Sequence, residues 1–358
     1  MRSPKKRSLL NVNEHFEGKR NDKIHFLVTL FAYSYTQYFH KKRHHLNKSN
    51  YLCILILCIG MNKIVDRIKE LLERHILVKD AAIGTSLIGT RRDILPELLS
   101  IEDEAKVQKM YEESIKAGAK IITTNTFLSD PLSLASCGVS HTTEEVVSAA
   151  LSAAKRAREA SQKEVFIAGS IGPSTRNISL AIDLKEEELR ESYKRLVEAL
   201  HSNGADIFLI ESITDVRNAE IAAEVCGELA PETPIIFSAV LSKIGGLLVS
   251  GRSVEKYVED VTKFNPLAIG FNCSNGVKNV VDNIELLTRY TSLPTYVAPS
   301  AGLPDGKGKY PETVKKHTET LRAAAEKGVL SIVGGCCGTT VEYTRSIAQM
   351  ARHYKPRK

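Results

Sequence analysis

Short apolar runs recur along most of this chain, and each has the composition of a strand that is buried on both faces. The runs are rich in Ile and Val and lack the polar alternation of a half-exposed strand. They cover residues 76–80, 120–126, 165–172, 206–212, 234–241, 266–274, 294–302 and 329–338. The pattern therefore predicts eight strands of a parallel sheet that is covered on both faces.

Amphipathic stretches with helical spacing separate these runs, with clear examples at 102–117, 144–160, 185–203 and 311–325. Several of them end at a glycine, as expected where a left-handed residue closes a helix. Eight strand–helix units predict an α/β fold of the (β/α)8 TIM barrel type. The alternative is an open doubly wound sheet. The turn after the first run reads DAAIGTS, however, and matches the glycine-rich phosphate turn of that fold poorly.

The first sixty residues do not share this pattern. They hold 11 Lys and Arg against 3 Asp and Glu, whereas the rest of the chain holds 38 against 39. The net charge of +7 therefore arises in this segment and does not predict a nucleic-acid-binding surface on the remainder. The apolar run 51–60 is too short for a membrane-spanning helix, which needs about 20 residues.

Met61 is predicted to be the true first residue of the protein, because Ile64, Ile68 and Leu72 follow it at helical spacing. We interpret residues 1–60 as a basic extension from a mis-assigned upstream start codon, with no fold of its own, and residues 61–355 as the barrel. A targeting segment or a partner-binding tail are the alternatives. Nothing in the sequence suggests secretion, so structural disulfides are not expected. We expect a cytoplasmic protein with no membrane or nucleic-acid partner.

Polar residues follow several of the predicted strands. Asp80 ends the first run, Asn125 lies at the end of the second, and Glu211 follows the apolar stretch IFLI of the fourth. In a barrel the carboxyl ends of all eight strands meet at one mouth, where active sites are built. Asp80 and Asn125 could instead serve only as helix caps. A carboxylate beside an apolar run is costly unless it is paired, which makes Glu211 a strong candidate for ligand contact.

Three of the seven cysteines also stand at predicted strand ends. Cys273 ends the sixth run, and Cys336 and Cys337 lie side by side in the GGCCG segment of the eighth. Three thiolates that converge at a barrel mouth suit a tetrahedral Zn²⁺ with one open position. The glycines of GGCCG are expected to let the backbone turn sharply enough for both adjacent sulfurs to reach the metal. The spacing alone also fits three unrelated buried thiols or a redox-active vicinal pair.

Several segments resemble the zinc- and homocysteine-dependent S-methyltransferase family. The most specific are NCSNG at 272–276, APSAGLPDGKGKY at 298–310 and VGGCCGTT at 333–340. Further similar segments are DAAIGTSL at 80–87, AGAKIITTNTF at 117–127, GSIGPSTRN at 169–177 and GADIFLIESITD at 204–215. The resemblance covers about residues 62–352 and is strongest to the N-terminal homocysteine-binding module of cobalamin-dependent methionine synthase.

This resemblance implies methyl transfer to the thiol of homocysteine, forming methionine. It implies Cys273, Cys336 and Cys337 as zinc ligands and, through zinc, as the catalytic residues. The donor it favours is methylcobalamin on a separate corrinoid protein. S-methylmethionine and S-adenosylmethionine are alternatives, because stand-alone relatives use them. An alternative of another class is a non-catalytic zinc- or thiol-binding module of a larger assembly.

The resemblance also implies contacts to the amino-acid part of the substrate. These are Asp80 and Glu211 for the amino group, the backbone at Ile83 and Gly84 for the carboxylate, and Asn125 at the mouth.

The chain departs from the family in the turn after Asp80. It has Ala81-Ala82 where the family usually has Gly-Gly or Gly-Ala. A Cβ therefore stands where a tight turn near the substrate is expected.

Overall fold

Eight parallel strands form one sheet in the computed structural model, which describes residues 63–89, 91 and 93–358. The strands are β1 (Leu77–Val78), β2 (Ile121–Thr123), β3 (Phe166–Ile171), β4 (Ile207–Ile213), β5 (Ile235–Ala239), β6 (Ala268–Cys273), β7 (Thr295–Pro299) and β8 (Ile332–Val333). Each falls at one of the eight apolar runs, so the strand prediction is confirmed. The interpretation of residues 1–60 and of the start at Met61 lies outside the described residues.

The sheet curls into a barrel. Its strand order is β1-β8-β7-β6-β5-β4-β3-β2, and every pairing is parallel. A parallel bridge between Lys79 and Ile121 joins the two ends of this order. The amide of Lys120 donates to the carbonyl of Val78 at 2.7 Å, next to that bridge. The (β/α)8 barrel is therefore confirmed over the open doubly wound alternative.

Helices follow the strands on the outside of the barrel. They are α1 (63–74), α2 (Ile83–Ile88), α3 (Leu99–Glu102), α4 (Glu104–Ala117), α5 (Pro131–Ser136), α6 (Thr143–Ser161), α7 (Glu186–Ser202), α8 (Val216–Leu229), α9 (Val254–Thr262), α10 (Val277–Leu287), α11 (Val314–Glu326) and α12 (Val341–Ala351). A short 3-10 helix, Pro96–Leu98, precedes α3. The four amphipathic stretches predicted from the sequence correspond to α4, α6, α7 and α11.

Local chemistry sets several helix ends. Thr142 begins α6 with a capping box in which its side chain and that of Glu145 each bond the other's backbone amide. Gly118 closes α4 in the left-handed region, with φ of 118°. These signals are readable in the sequence, which is why the helix bounds follow the prediction closely.

The strands bury side chains on two sides. Outward-facing residues pack under the helices, whereas inward-facing residues such as Leu77, Ile207 and Tyr296 form a separate core inside the barrel. Helix α1 adds Ile68 and Leu72 to that inner core. It therefore closes the end of the barrel at which the strands begin.

Side chains alternate between the two sides of each strand. Residues that share the inward direction with the inner core, but lie closer to the carboxyl ends, are polar: Lys79, Thr123, Ser170, Glu211 and Asn272. All helices within the described part of the chain are too short or too polar to cross a membrane. The polar inner layer marks the end of the barrel that carries the candidate site.

Candidate metal and substrate site

Three cysteine sulfurs converge at the carboxyl end of the barrel. Cys273 Sγ lies 2.8 Å from Cys336 Sγ and 3.3 Å from Cys337 Sγ, and the sulfurs of Cys336 and Cys337 are 4.0 Å apart. All three thiols are free, and their sulfurs form a cluster that could hold a metal ion. The three residues singled out in the sequence are therefore brought together.

The backbone at the end of β6 is strained where it presents Cys273. Cys273 and Ser274 have φ of 51° and 62°, in the left-handed region that side chains rarely adopt. The hydroxyl of Ser274 donates to the carbonyl of Asn272 and accepts from the amide of Leu241, both at 2.9 Å. The amide of Ser300 holds the carbonyl of Cys273 at 3.0 Å. These bonds fix the unusual turn that directs Cys273 toward the other two sulfurs.

The glycines around the cysteine pair serve two purposes. Gly338 has φ of 79°, and an added Cβ would lie 2.1 Å from the ring of Tyr310. Gly335 does not have positive φ, but a Cβ there would lie 2.2 Å from the hydroxyl oxygen of Thr339. The expected positive φ is therefore found at Gly338 but not at Gly334 or Gly335, and close packing requires glycine at all three positions.

The three thiols share their protons unequally. Hydrogen bonds from Cys273 and Cys336 lower the pKa of Cys337 to about 3. The pKa of Cys273 is raised by its hydrogen bonds to Cys336 and Cys337 and by burial. By itself the cluster therefore supports one thiolate, stabilised by two thiols. Deprotonation of all three requires a nearby positive charge.

A divalent ion of the zinc type fits this set of donors. Tetrahedral zinc with sulfur ligands at about 2.3 Å places neighbouring sulfurs about 3.8 Å apart. The separation of Cys336 and Cys337 is close to that value, and Cys273 needs to move outward by at most about 1 Å. Three protein ligands would leave the fourth position to substrate, as in a catalytic zinc site.

Asn272 supports the cluster from the inner layer of the barrel. Its side-chain amide donates to the hydroxyl of Ser212 at 2.8 Å and lies 3.6 Å from Cys336 Sγ. Its carbonyl accepts from the amide of Ser212 and the hydroxyl of Ser238. Such outer contacts orient metal ligands. Sequence reasoning quoted Asn272 at this strand end without giving it a role, because its partners lie on other strands.

A cavity of about 300 Å³ opens beside the sulfurs. Four residues that are predicted to touch substrate line this cavity: Ile83, Gly84, Asn125 and Glu211. The cavity also reaches the three cysteines. The cavity size is at the lower end for small-molecule sites, which suits a ligand the size of an amino acid. Asp80 does not line it.

Glu211 faces this cavity from a bulge. The register between β4 and β5 shifts between Ile210 and Ile213, and Ser212 has φ of 55°. The hydroxyl of Ser170 donates to Glu211 Oε1 at 2.6 Å. Burial raises the pKa of Glu211 to about 7, despite the opposing positive charge of Lys79. Near neutral pH the group is therefore poised to ionise fully when a cation approaches.

Asp80 lies behind the cavity and is paired with a lysine that the sequence analysis did not single out. Lys79 Nζ forms an ion pair with Asp80 Oδ1 at 3.1 Å and also approaches the carbonyls of Asp80 and Gly335. Lys79 lines the cavity, whereas Asp80 is 1% exposed. The two-residue period of β1 gives Lys79 the inward direction of Leu77, which is the signal that could have found it.

Asn125 lines the mouth but uses its amide to hold a loop. Its Nδ2 donates to the carbonyl of Pro96 at 2.7 Å and to the hydroxyl of Ser100 at 3.0 Å. The turn at Ile83 and Gly84, which is predicted to receive the substrate carboxylate, begins α2, where the first amides have no partner within the helix.

The two alanines before that turn fit without strain. Ala81 and Ala82 both have negative φ, and Ala82, at −63°, caps helix α2. The departure from glycine in the family is therefore accommodated.

A second cavity of about 550 Å³ lies on another side of the sulfurs. It shares Cys273 and Cys337 with the first cavity and is lined by Val249, Leu303 and Tyr310. Val249 and Leu303 are exposed apolar side chains. A molecule in this cavity would reach the sulfur cluster without entering the amino-acid-sized cavity.

Comparison with known proteins relates this architecture to one family. The sequence model described as homocysteine S-methyltransferase matches residues 77–351. The metallated form of the homocysteine methyltransferase MmuM from Escherichia coli has a similar fold, with a TM-score of 0.64 and 21% identity. The alignment covers 78% of this chain and 98% of that one. The apo form of MmuM aligns with a TM-score of 0.59 and 20% identity, over 78% and 97% of the two chains.

Proposed function

This chain belongs to the homocysteine S-methyltransferase family, and we propose that it forms methionine from homocysteine with a zinc ion held by Cys273, Cys336 and Cys337. Methyl transfer to homocysteine follows from the family itself. The zinc ion, the methyl donor and the roles of individual residues are our inference.

The observation that carries this proposal is the position of the three sulfurs. They lie within contact distance of one another at the wall of a cavity that also holds Glu211. A thiol acid bound in that cavity would have its sulfur end at the cluster and its charged end near polar groups of the barrel. Three thiolate ligands with one open position suit the binding of a fourth sulfur.

The residues of the chain would bind and orient the substrate. Glu211 would receive the ammonium group, and the free amides at Ile83 and Gly84 would receive the carboxylate. A bound zinc ion supplies one thing, a lowered pKa that keeps the substrate thiol ionised at neutral pH. Asn272 holds Cys336 in place through contacts that need no metal. Fixing the thiol in line with the donor supplies the orientation that methyl transfer needs.

The reaction itself is a displacement at carbon. The sulfur of homocysteine donates an electron pair to the methyl carbon, and the new carbon–sulfur bond forms. The bond between the methyl group and the donor breaks, and its electron pair leaves with the donor. The thiol proton has gone to solvent before this step, so the side chains need not supply a general base.

We propose methylcobalamin on a separate corrinoid protein as the donor. The second cavity is wide, and its exposed apolar side chains Val249 and Leu303 would suit a protein-borne macrocycle. S-methylmethionine and S-adenosylmethionine remain the alternative donors, and the cavity would admit them as free molecules. Assays with each donor in turn separate the three.

A non-catalytic thiol-binding module is the second candidate function. It would need the metal cluster but not Glu211 at the cavity wall. The bulge that turns Glu211 inward therefore favours an enzyme.

A donor assay on the full-length protein tests the proposal. We expect about one zinc per chain, as for a single three-cysteine site, and methionine formation from homocysteine with one of the three donors. Turnover with methylcobalamin alone would support a corrinoid partner, and turnover with a sulfonium would assign a self-sufficient enzyme. Zinc binding without methionine formation from any donor would favour the binding module. Absence of zinc in protein purified under reducing conditions would reject the metal site.

A further inference from the structure

Tyr310 ends the segment 298–310 and lies beside the sulfur cluster. Its phenol hydroxyl donates a hydrogen bond to the sulfur of Cys337. Its ring lies against the backbone of Gly338, where an added Cβ would be 2.1 Å from a ring carbon. Tyr310 also lines the second cavity together with Cys273 and Cys337. The hydroxyl therefore contacts one of the proposed metal ligands, at the cavity through which the methyl donor is proposed to arrive.

Backbone hydrogen bonds hold the segment that carries Tyr310. The amide of Ala301 donates to the carbonyl of Cys337 at 2.9 Å, and the amide of Glu312 donates to the carbonyl of Ala301 at 3.0 Å. Between these two bonds, the side chain of Asp305 closes a turn by accepting two backbone amides, each at 2.9 Å. The segment is therefore tied to the cysteine pair through its backbone as well as through the hydroxyl of Tyr310.

A methyl donor in the second cavity would meet sulfurs of the protein as well as the sulfur of the substrate. Cys273 and Cys337 both line that cavity. A thiolate is a nucleophile whether it belongs to substrate or protein. Attack by Cys337 would form a carbon–sulfur bond and break the bond between the methyl group and the donor, whose electron pair leaves with the donor. The cysteine would become a neutral thioether, so the site would lose one anionic ligand.

A hydrogen bond to a thiolate opposes this side reaction. The bond is strong while the sulfur carries a negative charge, and it weakens as that charge passes into the new carbon–sulfur bond. It therefore stabilises the thiolate more than the transition state of its methylation, which slows the reaction. The hydrogen bonds of Cys273 are made to the other two sulfurs, and a metal that replaces the thiol protons would remove them. The protection by a hydroxyl group is thus expected at Cys337.

We propose that Tyr310 is a positioning residue that directs the methyl group to the substrate, because its hydroxyl holds the sulfur of Cys337 and suppresses methylation of that cysteine. This inference rests on the proposed function, since it concerns the same sulfurs and the same side of donor approach. It adds to that function a residue that determines which thiol accepts the methyl group.

Methylation of the full-length protein by methyl iodide, without homocysteine, tests this role. Wild type and Tyr310→Phe are treated to low conversion, and S-methylcysteine is located by tandem mass spectrometry. Phenylalanine keeps the packed ring and removes the hydroxyl, so the ratio of methylation at Cys337 to that at Cys273 should rise roughly 10-fold. Tyr290→Phe, at an exposed tyrosine, is the matched control and should leave the ratio unchanged. The exposed Cys137 should react equally in all three proteins.

Zinc content and melting temperature of the same samples distinguish this role from others. Tyr310→Phe should keep both, because the hydroxyl is not a proposed ligand and the ring still packs. An unchanged methylation ratio in zinc-loaded Tyr310→Phe would overturn the inference and leave the proposed function standing. Loss of zinc or a large fall in melting temperature would also overturn it, since the hydroxyl would then serve metal retention or folding. Wild-type protein without zinc would reject the proposed metal site, and this inference with it.

Discussion

Cys336 joins the sulfur cluster to the residues that support it. Its sulfur contacts Cys273 and Cys337 and lies within reach of the amide of Asn272. Its backbone amide donates to the carbonyl of Pro299 at 2.9 Å, which ties β8 to β7. Only its sulfur would hold the proposed metal, whereas its backbone contacts do not depend on the side chain.

Replacement of Cys336 should therefore separate metal binding from folding. We expect Cys336→Ser and Cys273→Ala to lose zinc and methyl transfer, while the barrel keeps its cooperative unfolding. Ser and Ala do not supply the soft thiolate that the site requires. Zinc content by elemental analysis and unfolding followed by circular dichroism would check this. Loss of the folded state in both variants would show that the metal is structural. The exposed Cys137, replaced by Ser, is the control.

At the scale of an element, helix α1 closes the barrel. Ile68 is fully buried in the inner core and Leu72 nearly so, and that core also contains Tyr296 and Ile332. The helical spacing of the apolar residues after Met61 predicted the helix, but not what it packs against. The inner side chains of a barrel would otherwise meet water at the end where the strands begin.

Truncation of Ile68 measures this contribution. Ile68→Ala should lower the free energy of unfolding by about 2–5 kcal/mol, through lost burial and a residual cavity. Lys69→Ala, on the exposed side of the same helix, should change it by less than about 0.5 kcal/mol. Urea denaturation of both variants makes the comparison. Equal small effects would mean that α1 is only loosely attached to the barrel.

At the scale of the whole molecule, the barrel places several ionisable groups in one buried layer at its carboxyl end. Lys79 and Glu211 lie in this inner layer, and Asp80 adjoins Lys79. Burial opposes the positive charge of Lys79, but the nearby carboxylates of Asp80 and Glu211 outweigh it and raise the pKa of the lysine. The positive charge of Lys79 and the negative charges of Asp80 and Glu211 therefore stabilise one another in this layer.

The pH dependence of stability reports on this layer in metal-free protein. Burial raises the pKa of Glu211 from its ordinary 4.5 to about 7, so the folded state binds a proton that the unfolded state releases. The contribution of Glu211 to stability is largest below about pH 4.5 and falls as pH rises toward about 7. The loss should be on the order of 3 kcal/mol, and Glu211→Gln should abolish it.

Urea titrations of wild type and Glu211→Gln at pH 5 and pH 8 would test this sign. If the free energy of unfolding changed equally with pH in the two proteins, the pKa of Glu211 would not be raised in the folded state. Before the metal is removed, the two proteins should contain the same amount of zinc, because Glu211 is not proposed as a ligand.

The apolar pattern and the chain order were enough to predict the architecture and the convergence of the three cysteine sulfurs. The period of apolar residues placed all eight strands, and chain order placed Cys273, Cys336 and Cys337 at the ends of β6 and β8. Barrel closure then brings strand ends together by necessity, which is why local pattern was enough. The same reasoning placed Glu211 at the mouth, and the two-residue period of β1 would also have turned Lys79 inward.

Which charged groups remain available to a ligand could not be predicted from the sequence. The pairing of Asp80 with Lys79 and Thr123, and the unpaired oxygen of Glu97, depend on distances between segments far apart in the sequence. Hydrogen bonding is directional and acts over about 3 Å, so a register shift or a loop position changes it. Apolar burial has no such directional requirement, and its pattern can therefore be read from the chain alone.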